Sequence, residues 1–286
     1  RLHLSPTLAG KLVATLNVRD FRPWTLALRK AELTSAAINR INSVFKACLN
    51  HAAMHDERIV TRAWERALAN IPDAVESRNI ILDETTIRAI VSAAYQIGTE
   101  FGLLVEVAAI TGARVSQLAR LEVQDLQAAR SDPRLLMPSS RKGRGQKKIS
   151  RRPVPIPPSL AVRLLANAQG RAAAAALLVK PSGDLWRKSD HSRLFARAVT
   201  LADLDKAEPA ITFYTLRHSN IARLLLAGTP IRVVAAAHDT SVVMIERTYS
   251  RHITDASDTS LRRAMLDMSE PVAGNVVPLS PQSRGS

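Results

Sequence analysis

The sequence predicts a mainly helical protein with one small antiparallel sheet, divided into two domains. Three observations carry this. Apolar residues recur at helical spacing along most of the chain, as in Ile38, Ile41, Val44, Phe45, Cys48 and Leu49. Strand-like alternation gathers in one place, between about 121 and 156. The helical pattern lapses between Ile71 and Asn79, where PDAVESRN reads as a linker, and 286 residues at 46% hydrophobic suffice for two cores. The expected division is a helical domain over 1–73, a linker over 74–79, a second domain over 80–268 and a disordered tail over 269–286.

In chain order, Ser5-Pro6 is an N-cap and first-turn pair opening a helix through about Leu16, and Pro23 opens another carrying Trp24, Leu26 and Leu28. Thr34 and Ser35 cap a longer helix whose outer face carries Asn39, Arg40, Asn42 and Lys46. A further helix runs from about Glu57 to Ala69, with Ile59, Ala63, Trp64 and Leu68 inward. Arg58, Arg62 and Arg66 recur on it at i, i+4 and i+8 as a basic stripe. A solvated face is the plain reading of one such stripe; beside the other basic helices it reads as a phosphate-contacting surface.

Past the linker, Asp83 N-caps a helix with Ile87, Ile90 and Val91 inward, and a second helix through Leu103, Leu104 and Val107 reaches Gly112 and Arg114. The segment 121–126, LEVQDL, alternates as a strand, and 134–137 and 153–156 can pair with it, the latter at an edge because of its prolines. Between the last two lies SSRKGRGQKKISRR, in which Arg141, Lys142, Arg144, Lys147 and Lys148 meet no acid. Gly143 and Gly145 allow this basic finger to turn, and we expect it to move without an anionic partner. Helix resumes from Ser159 through the alanine run 172–176, and again behind a cap at Ser189 or Asp190. A last helix follows over 259–268.

Composition narrows the partner. The formal net charge is +15, an excess that favours a polyanion through phosphate neutralisation and counterion release, so nucleic acid is expected. No run of 18 or more apolar residues occurs, so no membrane partner is expected. Cys48 is the single cysteine, which excludes an intrachain disulfide framework and fits a reducing cytoplasm. The histidines His51, His55 and His191 show no metal-ligand spacing, so neither metal nor cofactor is expected.

The polar points with chemical promise lie in 211–252, ITFYTLRHSNIARLLLAGTPIRVVAAAHDTSVVMIERTYSRH. Arg217, His238 and Tyr249 each stand at the edge of an apolar run. Gly228 can end one short helix, Thr229 and Pro230 start the next, and Asp239, Thr240 and Ser241 offer caps for a third. Upstream, ITGARVSQL places Arg114 after a Thr-Gly break.

Together these segments resemble the tyrosine recombinases, or phage integrases, in which an arginine in a TGxR context is followed by an HxLRH box, an LGH-like box and a tyrosine. The matching residues are Arg114, the YTLRH of 214–218, the AAH of 236–238, and Tyr249. The resemblance implies a C-shaped DNA clamp with a core-binding domain in front of a catalytic domain. The first helices of the core-binding domain would lie before Arg1, and since the chain does not begin at methionine we expect a longer parent protein. It also implies a homotetramer on two duplexes, accessory DNA-bending or directionality proteins, a nucleoid-associated cytoplasmic location, and docking of the last helix on a neighbouring protomer.

The chemistry needs these residue types. Attack on a phosphodiester spreads negative charge over two non-bridging oxygens, which two guanidiniums, Arg114 and Arg217, neutralise through charge-assisted hydrogen bonds. Tyr249 would be the nucleophile, giving a 3′-phosphotyrosine that keeps the bond energy for religation without ATP or metal. The resemblance makes a hairpin lysine the general acid, here Lys142, with Lys147 or Lys148 as fallback.

The chain departs from the pattern in informative places. Tyr214 stands where the box usually has histidine and can bond a phosphate oxygen but is a poor base, which leaves the general base open with His238 nearest. Gln117 stands where an acid is usual, and two alanines precede His238 where Leu-Gly is common. His218 reads as structural. Two other readings stay open: a DNA-binding protein of this fold with impaired catalysis, and a type IB topoisomerase-like relaxer.

Overall fold

The structure is a computed structural model that describes residues 3–72, 80–140, 149–187 and 189–255, with Arg262 and Met265. It contains two compact units, Arg1–Arg78 and Asn79–Ser286. The linker expected over 74–79, the finger residues Arg141, Lys142, Arg144, Lys147 and Lys148, the tail over 269–286 and most of the helix expected over 259–268 lie outside the described residues.

In the first unit, α1 (Pro6–Ala9) starts as read, the Ser5 hydroxyl accepting from the Leu8 amide, but it ends at Gly10. A 3-10 turn over Val13–Thr15 replaces its expected extension to Leu16. The next helix, α2 (Val18–Lys30), begins before Pro23 rather than at it. The Asn17 side chain accepts from the Arg19 amide while the Asp20 carboxylate accepts from the Asn17 amide at 2.8 Å, and this reciprocal cap outweighs the one backbone hydrogen bond that an interior proline forfeits. Thr34 caps α3 (Ser35–Ala53), through its hydroxyl on the Ala37 amide.

The core of this unit is Phe21, Trp24, Leu28, Ile38, Leu49, Trp64 and Leu68, with the Phe45 ring set edge-on to Trp24 at 5.1 Å. The inward stripe of α3 is narrower than expected: Val44 and Cys48 face solvent, and Asn42 is buried in their place. The helix expected over 57–69 shrinks to α4 (Arg62–Ala67). The Asp56 carboxylate takes both the backbone amide and the guanidinium of Arg58 and folds that segment into a turn. Arg58 therefore precedes the helix that carries Arg62 and Arg66, and the three do not form one helical stripe. Arg40, Arg62 and Arg66 are exposed and Lys46 half-buried.

The second unit is organised around α6 (Thr99–Thr111), buried along most of its length beside α5 (Glu84–Ile97), which Asp83 caps at the Thr86 amide. Gly102 lets the two helices close up, because a Cβ there would collide with the Tyr95 ring. After Gly112 comes the single turn α7 (Val115–Leu118).

The sheet has the order β1 (Leu126–Gln127), β2 (Arg134–Pro138), β3 (Arg151–Pro155), all antiparallel, with Leu135 opposite Val154 and both buried. Most of LEVQDL is not strand: Val123–Asp125 is a 3-10 turn. Nor is the alanine run helix. The Val123 and Gln124 amides donate to the carbonyls of Ala175 and Ala173, and the Leu177 amide to that of Leu121. The two segments satisfy each other's backbone groups, which neither local pattern could reveal. Beyond α8 (Pro158–Ala168) and α9 (Asp190–Leu201) come α10 (Phe213–Leu226), α11 (Ile231–Ala237) and α12 (Val242–Asp255). Gly228 ends the α10 segment at φ 78°, Pro230 rather than Thr229 occupies the cap of α11, and Ser241 caps α12 through the Met244 amide.

Candidate active site

Two chain breaks, after α6 and after α11, form the site's floor. At the first, Thr111 ties its hydroxyl back to the Val107 carbonyl at 2.6 Å, and Gly112 turns the chain at φ 60°, sending Arg114 to the mouth of α7. At the second, α11 ends at His238, and Asp239 turns the chain at φ 49°.

The arginines converge on these turns. Arg217, on α10 and 4% exposed, donates from Nη1 to the Gly112 carbonyl at 2.8 Å and from Nη2 to the His238 carbonyl at 2.7 Å. The Nη1 of Arg114 donates to the same His238 carbonyl at 3.3 Å, to that of Asp239 at 3.2 Å and to the Ser140 hydroxyl at 2.9 Å. One peptide carbonyl thus gathers two guanidiniums. Burial, and then the charge of Arg114, push the pKa of Arg217 down from its ordinary value, so the pair gains from an anion placed between the two.

Asp239 links this turn to the base of the hairpin. Its Oδ2 accepts from the Ser140 amide at 2.7 Å and from the Ser140 hydroxyl, and its Oδ1 pairs with Arg152 Nη2 at 3.1 Å. Ser140, the last described residue before the basic finger, and Arg152 of β3 are thereby fastened beside Arg114. Gln117 adds another tie, accepting from the Arg114 amide at 3.2 Å and donating to the Pro138 carbonyl at 2.7 Å.

His238 is 2% exposed, with Nε2 at 2.8 Å from Asn220 Oδ1 and Nδ1 at 2.9 Å from the Val234 carbonyl. The Asn220 amide is oriented by donating to the Ala109 and Ile110 carbonyls. Burial above all, with the charges of Arg217, Arg114 and Arg152 adding to it, pulls the imidazole down to about 4, against the Val234 carbonyl, which favours the proton.

Tyr249 lies 4% exposed among Ile221, Leu225, Val234, Ala235 and Ile245, where its non-helical backbone (φ −127°, ψ 17°) interrupts α12. Its hydroxyl stands 2.5 Å from Nδ1 of His218. Burial pushes the phenol well above its usual range, and Arg217 works in the opposite direction. Tyr214 is 48% exposed, edge-on to His218 with ring centroids 4.9 Å apart, and the Arg217 guanidinium lies 5.9 Å from its ring centre.

Arg114, Arg217 and His238 therefore meet at the two turns, and Tyr214, His218 and Tyr249 form an adjoining cluster around Arg217. Lys142 lies outside the described residues. Sequence reading passed over Asn220 and Ser140, gave Asp239 only a capping role, and held His218 as structural. Its spacing from Tyr214, i and i+4 on one helix, is the signal that marks His218, because that spacing puts both on one face.

The integrase of transposon Tn1549 in complex with transposon right end DNA is similar in fold, with TM-score 0.65 at 18% identity over 88% of this chain and 87% of that one. A lambda integrase dimer bound to a COC′ core site gives 0.60 at 17% over 80% and 81%, and a lambda integrase tetramer bound to a Holliday junction 0.58 at 17% over 80% and 65%. No curated protein sequence matches significantly. Among the described residues, no helix is long and apolar enough to cross a membrane. The phage integrase family model matches residues 81–254, more than half of the chain and the whole span from α5 to Tyr249; the protein belongs to the phage integrase family.

Proposed function

We propose that this chain is a site-specific DNA recombinase that cuts and rejoins DNA through a 3′-phosphotyrosine intermediate. The observation that carries the reading is the convergence of Arg114 and Arg217 on the His238 carbonyl, with the Tyr249 hydroxyl against His218, the residue next to Arg217. Two guanidiniums that meet on one peptide carbonyl, with the Asp239 carboxylate 3.8 Å from Arg114, can exchange that neutral acceptor for a charged one, and a phosphodiester supplies two non-bridging oxygens. Arg114 and Arg217 would hold these oxygens, and the Tyr249 oxygen would attack phosphorus. The 5′-oxygen would leave, taking a proton from Lys142 of the finger.

Double-stranded DNA is the substrate, contacted by Arg40, Lys46, Arg58, Arg62 and Arg66 in the first unit and by Arg141, Arg144, Lys147 and Lys148 of the finger. Strand exchange between two duplexes would use four copies, the number in which lambda integrase is bound to a Holliday junction. No metal, ATP or other cofactor enters the reaction, because the phosphotyrosine bond itself conserves the energy for religation.

The test is covalent trapping. The protein is incubated with nicked duplexes, selected for binding, that lose the 5′-hydroxyl fragment after cleavage, and adducts are read on denaturing gels. The expected adduct disappears in Tyr249→Phe. Tight binding with no adduct would favour a DNA-binding protein without catalysis, whereas an adduct with relaxation but no pairing of two duplexes would favour a topoisomerase-like activity.

A further inference from the structure

The recombinase chemistry needs a group to take the phenolic proton, and Tyr214 cannot serve at neutral pH because it is itself a phenol. We propose that His218 is that group: its Nδ1, 2.5 Å from the Tyr249 hydroxyl, accepts the proton as the Tyr249 oxygen bonds to phosphorus. This assignment rests on the recombinase reading of the site.

The geometry favours His218 over His238. Both ring nitrogens of His238 face acceptors, the Asn220 side-chain carbonyl and the Val234 carbonyl, and the ring is buried away from the phenol's contact. His218 directs one nitrogen at the reacting oxygen. Among the described residues, the titratable and charged groups placed against it are Tyr214 and Arg217 on its own helix and Tyr249 on α12. Burial, and then Arg217, hold its pKa below the ordinary value, so the ring is neutral near pH 7 and Nδ1 offers a lone pair when Nε2 carries the hydrogen.

The step balances. The O–H bond of Tyr249 breaks and its proton moves to His218 Nδ1; the phenolic oxygen bonds phosphorus; the bond from phosphorus to the 5′-oxygen breaks, and that oxygen leaves with the electron pair and is protonated by Lys142. His218 becomes an imidazolium at the moment the phosphate anion lies against Arg217, which offsets the added charge. In religation the same proton returns to Tyr249, and the cycle leaves the ring neutral.

The position of His218 also explains the departure at Tyr214. One helical turn separates the two, so the basic function is displaced along a single face of α10 rather than lost.

The experiment compares His218→Ala and His218→Asn with wild type in single-turnover adduct formation on the nicked duplex. Asn sets an oxygen near the place of Nδ1, so it can hold the Tyr249 hydroxyl but cannot carry the proton away. We expect both variants to bind the duplex within about twofold of wild type and to cleave about 100-fold or more slowly. Added imidazole should restore the Ala variant at least about tenfold, a rescue that a purely structural loss would not show. An Asn variant cleaving within about threefold of wild type would overturn the assignment, whether or not the Ala variant folds. Wild-type protein that forms no adduct would instead remove the recombinase reading, and the role of His218 with it.

Discussion

Gly112 is the residue on which the two turns of the site depend, and Gly112→Ala tests that dependence. Its φ of 60° lies in the left-handed region, where a Cβ costs about 1 kcal/mol or somewhat more. The added carbon would also stand 2.6 Å from Nε2 of His238, 2.8 Å from its Cδ2 and 3.1 Å from Cβ of Asn220. The histidine cannot swing into solvent, because it is buried and held at both nitrogens, so the clash must move it off Asn220. Losing that buried contact adds about 1–3 kcal/mol, for a total of about 2–4 kcal/mol in urea unfolding. The Gly112 carbonyl also accepts from Arg217, so adduct formation should fall along with stability. Gly112→Asn separates the two causes: asparagine tolerates the left-handed conformation but still carries the Cβ, and should recover only the backbone part. A Gly112→Ala protein within about 0.5 kcal/mol of wild type and with unchanged adduct formation would refute the idea that this close approach sets the site.

His238 makes stability pH-dependent in a defined direction. Its folded pKa, about 4, lies below the unfolded value near 6.5, so the unfolded chain binds the proton first. The contribution is complete above about 6.5 and is lost as pH falls towards 4, at most about 3 kcal/mol. Urea midpoints at pH 7 and pH 4.5 should therefore lie further apart in wild type than in His238→Asn, and equal separations would count against it. Arg151→Met should destabilise the second unit by about 3 kcal/mol in thermal unfolding. It strips the ion pair from the buried carboxylate of Asp125, 2.5 Å from Nε of Arg151, and leaves that charge against the Glu122 amide.

What was legible in the sequence was what local chemistry decides. Thr34 and Asp83 cap helices because a short oxygen three residues ahead of a free amide stabilises a helix start wherever it occurs. Gly112 and Gly228 mark ends for an equally local reason. The misreadings fall where distant groups compete. LEVQDL alternates as a strand should, but its amides are taken by alanine carbonyls some fifty residues later, and those alanines give up the helix their composition favours. Arg58 keeps helical spacing with Arg62, yet Asp56, two residues before it, captures its side chain and amide. The site divides in the same way. Arg114, Arg217, His238 and Tyr249 stand in ordered boxes along the chain, whereas Asp239 and Asn220 act through partners about 100 residues away.

The residues that depart from the family pattern make sense only in that context. A carboxylate at position 117 could accept from the Arg114 amide but could not donate to the Pro138 carbonyl, and the neutral amide of Gln117 does both. It joins the arginine's turn to the end of β2, from which the basic finger departs. A second tie runs from Asp239 through Ser140 and Arg152 to the same hairpin base. The charge missing at position 117 is thus present at position 239, 3.8 Å from Nη1 of Arg114. The site keeps one acid for its arginine and places it where it also holds the hairpin. Divergence in single boxes, read one at a time, looks like erosion; with the partners in place, the tie to the Arg114 amide and a carboxylate beside its guanidinium are both present.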